Sequence, residues 1–179
     1  MQWKPFTFNG KTYELTHLYP RSCCYQQPEK AGKPARSYDV DVLFSLHCFT
    51  RAIEPSETPD AGMLYGDNRE TRIFDFQRYE LSKRLTAILE TLGQRKCYHT
   101  GKENFFSVDV INENGTVTEY DIFFAASRSS KKGRLNLFVQ SAYVRDALHG
   151  SNRPHKKPIG LYVILFNVLH DKPIKVPPQ

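Results

Sequence analysis

Residues 74–92 carry the clearest helical period in the chain. Leu81, Leu85, Ile88, Leu89 and Leu92 recur at helical spacing, while Lys83, Thr86 and Glu90 fall on the other side. That stripe predicts an amphipathic helix with one buried face, and Gly93 is placed to close it. After the helix the pattern changes to period two. Residues 105–111, 116–125 and 134–143 alternate as strands, separated by Asn114-Gly115 and by the polar stretch 127–133, which predicts an antiparallel meander. On the third of these strands Leu135, Leu137 and Val139 share one face, and the same alternation carries on to Ser141 and Tyr143. Residues 159–170 hold Leu161, Val163, Ile164, Leu165 and Phe166 and read as a fourth strand, apolar enough to lie inside the sheet.

Upstream of the helix, Phe6–Phe8 and residues 11–18 flank Asn9-Gly10, a pair that supplies the positive φ angles of a tight hairpin. Residues 26–37 are polar, contain two prolines and read as a loop. Residues 38–53 read as one long strand, with Asp39 and Asp41 out and Val40 and Val42 in. The reading is α+β, with one main helix packed on a largely antiparallel sheet. It places a single domain over 1–179: an N-terminal hairpin and long strand (1–53), an acidic loop (54–71), helix plus meander (72–170) and an extended tail (171–179).

Composition narrows the class. The chain is 40% hydrophobic and holds twelve Phe and ten Tyr, which suits a folded, strand-rich protein. No apolar run is long enough to span a bilayer, so no membrane partner is expected. The start, Met-Gln-Trp-Lys-Pro-Phe, lacks the features of a signal peptide, and the cytoplasm is the expected compartment. Cys23, Cys24, Cys48 and Cys97 are then reduced thiols. Joined with His47 or His99 they could offer zinc ligands, but adjacent residues such as His47 and Cys48 point to opposite faces of a strand.

Charge adds the strongest functional signal. Between Phe124 and Pro158 stand Arg128, Lys131, Lys132, Arg134, Arg145, Arg153, Lys156 and Lys157 against one acid, Asp146. The remainder of the chain is near neutral, so the whole net charge of +6 belongs to that window. A concentrated basic zone is the footprint of a polyanion partner, nucleic acid first and RNA favoured. Arg95 and Lys102, between the helix and the meander, extend it.

The helix followed by strands, with cations and histidines on the sheet and its loops, resembles the small RelE-like and barnase-like ribonuclease toxins over residues 74–170. The resemblance implies metal-independent RNA cleavage in a toxin or phage-defence setting, with a protein antitoxin or regulator as a partner and no cofactor. It implies His149 as general acid or base with His99 second, Arg145 as phosphate clamp, Tyr143 against the substrate and Ser141 donating to a phosphate oxygen. Three alternatives stand beside it. The first is a non-catalytic binding module whose aromatic rings stack on bases. The second is an interaction protein that docks a basic surface on the acidic 54–70 stretch. The third is an Mg²⁺ site at Asp39 and Asp41.

Overall fold

The computed structural model describes residues 2–30, 32–99, 104–111, 115–144 and 157–175. The fold is α+β. Strands β1 (Phe6–Phe8) and β2 (Lys11–Tyr13) form the expected hairpin, with Asn9 and Gly10 at φ 48° and 75°. Strands β3 (Arg21–Gln27) and β4 (Arg36–Phe44) pair antiparallel. Short strands β5 (Thr50–Arg51), β6 (Leu64–Gly66) and β7 (Thr71–Phe74) make a small separate sheet. Helices α1 (Phe76–Ser82) and α2 (Leu85–Glu90) follow, then β8 (Cys97–His99), β9 (Asn104–Ile111), β10 (Val117–Arg128) and β11 (Arg134–Val144). The described chain closes with β12 (Lys157–Ile159) and α3 (Leu161–Leu169). The large sheet has the order β12-β8-β9-β10-β11-β4-β3.

The leucine stripe is buried as its spacing predicts: Leu81, Leu85, Ile88, Leu89 and Leu92 all lie in the core. The helix is interrupted after Ser82, where Arg84 N–H donates to the Leu81 carbonyl in a tightened turn. Asp75 caps the start, its Oδ1 accepting from Arg78 N–H at 2.9 Å. β9, β10 and β11 form the predicted meander.

Four local expectations are corrected. Residues 159–170 are a helix rather than a fourth strand. Leu161, Ile164 and Leu165 are buried while Val163 is 51% exposed, a period of 3.6 that a run of five apolar residues hides. The strand predicted over 38–53 stops at Phe44. Ser45 there accepts from His47 N–H and opens a 3-10 turn at Leu46–Cys48. Both ends of the expected 26–37 loop are strand: Gln26 and Gln27 close β3 and pair with Ser37 and Arg36, which open β4. Finally, β11 carries a bulge. The register shifts between Phe123 and Phe124, so Phe124 faces Val139 whereas Phe123 faces Ser141. The extra residue reverses the alternation, and Ser141 and Tyr143 leave the face of Leu135, Leu137 and Val139.

The layering follows from the faces. Tyr38, Val40, Val42 and Phe44 of β4 are buried beside Leu135, Leu137 and Val139 of β11, to which β4 runs parallel. That face carries α2, through Tyr25 Oη donating to the Leu89 carbonyl, and α3, through Tyr162 against Tyr38. The opposite face of β3 and β4 presents exposed Ser22, Cys24, Ser37 and Asp39. Among the described residues no helix is long and apolar enough to cross a membrane.

Candidate nucleic-acid interface

The edge formed by β8 and β12 is where unopposed positive charge meets a concave surface. Ile159 pairs with Cys97 and Pro158 with Tyr98 in an antiparallel rung. Buried Cys97 and Ile159 anchor the two strands, while Pro158 is exposed. Just before β8, the 3-10 turn Leu92–Gln94 delivers Arg95 and Lys96 to the same edge. A concavity of about 520 Å³ opens there, lined by Arg95, Lys96, Cys97, Tyr98, Pro158, Ile159 and Gly160.

Two contacts fix its geometry. Tyr162 of α3 donates to the Gln26 carbonyl at 2.7 Å and lies so close to Gly93 that a Cβ there would meet its hydroxyl at 2.5 Å. Gly93 therefore serves close approach, which lets α3 pack on the turn that carries Arg95. The Arg95 guanidinium is tethered by Thr91 Oγ1, at 2.9 Å from Nη2, and by the Ile88 carbonyl, at 3.3 Å from Nε. These acceptors are neutral, so the charge is oriented without being cancelled. No acid among the described residues lines the concavity. Among the described residues Arg95, Lys96 and Lys157 make no ion pair, whereas seven other basic residues do.

The other sequence-predicted residues scatter. Arg128, Lys131 and Lys132 sit at the β10–β11 turn. Tyr143 lies at the other end of β11, about 30 Å away at 3.3 Å per residue. Arg134 is taken up by an earlier strand: its Nε lies 3.2 Å from Asp41 Oδ2 and its Nη2 donates to Asp41 Oδ1 and to Ser22 Oγ. The Arg134 and Ser22 hydrogen bonds hold the Asp41 carboxyl at about 2, and they fill the oxygens that an Mg²⁺ site would need. A carboxyl pKa below its unfolded value stabilises the fold above that value, near 3.9, and the contribution is lost as pH falls through about 2. NMR titration is expected to place Asp41 near 2 and to return it toward 3.9 in Arg134→Gln; an unchanged value would break the assignment.

His99 is 7% exposed on β8. The rungs His99↔Asn104 and Asn104↔Phe124 put it on the helix-bearing face, away from solvent. Tyr143 stacks on Phe123 at 5.7 Å between centroids and lies under the Arg78 guanidinium at 5.1 Å. It stands three strands from the β8 edge, about 14 Å. Arg145, His149, Arg153, Lys156 and Lys102 lie outside the described residues. Among the described residues no group of three or more His, Cys, Asp or Glu is arranged to hold a metal.

Arg95 and Lys157 stand out in the sequence as cations, whereas Tyr98 and the concavity itself do not. Three-residue strands such as β8 and β12 leave no period to detect. A model of the YjaZ family matches residues 5–169 of the chain. "Protein YjaZ" of Escherichia coli (strain K12) is 28% identical over 179 residues, 98% of this chain and 96% of the relative. No solved structure matches. The family match replaces the resemblance to RelE-like and barnase-like ribonuclease toxins, which rested on an element order whose last strand is in fact α3.

Proposed function

The chain belongs to the YjaZ family, and for this member of it we propose a non-catalytic binding role: the β8–β12 edge holds single-stranded nucleic acid, RNA first. The observation that carries the reading is that Arg95 and Lys96 line one concavity with no acid among its described lining residues, with Lys157 beside it on β12 opposite His99. Phosphates supply most of the affinity of such an interface through counterion release. Tyr98 lines the same surface and offers a ring for a base, a contact worth about 1–3 kcal/mol and indifferent to base identity. The described candidates for proton transfer do not gather at this edge, and His149 and Arg145 lie outside the described residues. A general acid or base must reach the reacting atoms, and His99 is buried while Tyr143 belongs to another part of the sheet.

The test is the anisotropy of a labelled single-stranded RNA titrated with the protein at several salt concentrations. With three phosphate contacts the logarithm of affinity falls against the logarithm of salt with a slope of about −2. Absence of binding at low salt, or affinity that ignores salt, would end the proposal.

A further inference from the structure

A second cleft, of about 330 Å³, lies between β5, α1 and the end of β11, lined by Arg51, Ala52, Glu54, Arg72, Asp75, Gln77, Arg78, Leu81, Tyr143 and Val144. Its three arginines are not equivalent. Arg51 has its fork closed by Glu57, with both carboxylate oxygens bound at 2.7 and 2.6 Å. Arg72 is held by Glu70 at 3.3 Å and by Thr50 Oγ1 at 2.9 Å. Arg78 is held differently. Its Nη1 donates to the Thr50 and His47 carbonyls at 2.8 and 3.4 Å. Its nearest carboxylate, Asp75, stands 3.9 Å from Nε, and that side chain already accepts from the Arg78 backbone N–H.

Arg78 is thus a fixed cation whose one ion pair among the described residues, with Asp75, is long at 3.9 Å, and its Nη2 makes no hydrogen bond among those residues. Its side chain is only 24% exposed. Burial lowers its pKa, the signature of a guanidinium that has given up water without full compensation. The Tyr143 ring lies beneath it at 5.1 Å. Among the described residues the buried hydroxyl of Tyr120, the rung partner of Val144, has no hydrogen-bond partner.

We infer that this cleft binds a small organic carboxylate, its oxygens on the Arg78 fork and its apolar body against Tyr143, Leu81 and Val144. A carboxylate matches the planar fork of arginine. The cleft's size is at the lower end of small-molecule sites. The lining sets the charge of the ligand. Glu57 and Glu70 already pair Arg51 and Arg72, which leaves Arg78 as the one loosely paired cation and so suits a monoanion and opposes a polyphosphate. This site does not depend on the nucleic-acid reading, since it shares no lining residue with the β8–β12 edge.

The test uses sodium benzoate as the probe, with binding followed by calorimetry and by the shift of the thermal midpoint. Benzoate is expected to bind the full-length protein and raise its midpoint. Arg78→Lys, which keeps the charge but loses the fork, is expected to weaken binding about tenfold or more. Tyr143→Ala, which leaves the Arg78 backbone bonds in place, is expected to weaken it by a smaller factor. Failure of benzoate to bind at millimolar concentration overturns the proposal, as does unchanged affinity in both variants. Inorganic phosphate binding as tightly as benzoate overturns the carboxylate assignment.

Discussion

Phe74→Ala is expected to remove about 3–5 kcal/mol of stability, the cost of truncating a fully buried aromatic that cannot be replaced by collapse of its surroundings. Phe74 is 1% exposed. It stacks on Phe6 at 3.9 Å between centroids and has Tyr79 and Phe76 at 5.4 Å and Tyr13 at 5.6 Å. These rings come from the N-terminal hairpin, the small sheet and α1, so one deletion loosens three elements at once. Against a total of about 5–15 kcal/mol the loss is large. Urea denaturation measures it directly. Phe138→Ala, at a position 36% exposed on the open face of the sheet, is expected to change stability by no more than about 0.5 kcal/mol. Equal losses in the two variants would contradict the assigned layering.

The largest functional effect is expected from Arg95→Gln combined with Lys96→Gln. Each side chain contributes one phosphate contact in the proposed interface. Together their loss is expected to weaken single-stranded RNA about tenfold or more at physiological salt. Neither side chain makes an ion pair among the described residues, and Lys96 is exposed, so the thermal midpoint should stay near that of the parent. Lys131→Gln combined with Lys132→Gln removes the same charge from the β10–β11 turn. There it is expected to reduce affinity far less, because only long-range attraction is lost, screened over about 8 Å at physiological ionic strength. Equal losses from the two pairs would mean that net charge, and not the β8–β12 edge, governs binding.

What could be read from the sequence was local. The Asn9-Gly10 hairpin, the leucine stripe of α1 and α2 and the β9–β11 meander each announce themselves within a window of twenty residues. Features that depend on distant pairing were hidden. β4 lies parallel to β11 although some ninety residues separate them, and nothing in either strand states that neighbour. The same pairing brings Asp41 to Arg134 and neutralises a cation that the charge count had left free. The bulge opposite Phe123 and Phe124 turns Ser141 and Tyr143 to the other face, which simple alternation could not anticipate. α3 was lost to its composition: Leu161, Val163, Ile164, Leu165 and Phe166 satisfy a buried strand and a buried helix equally.

The basic window shows the limit most clearly. Of the eight cations close together in sequence, the described ones divide in space, with Arg128, Lys131 and Lys132 at one sheet end and Lys157 on the far edge strand. Meanwhile Arg95 and Lys96, which lie outside the window, come to the same sheet edge as Lys157 because β12 pairs with β8. A charge footprint on the chain is a sum over surfaces that only the fold separates.

The central claim is that Arg95, Lys96 and Lys157 on the β8–β12 edge contact phosphate. The most direct test is to measure RNA affinity against salt for the parent and for the Arg95→Gln, Lys96→Gln double variant side by side. Two lost phosphate contacts predict a slope shallower by about 1.4. Parallel lines for the two proteins would contradict the account.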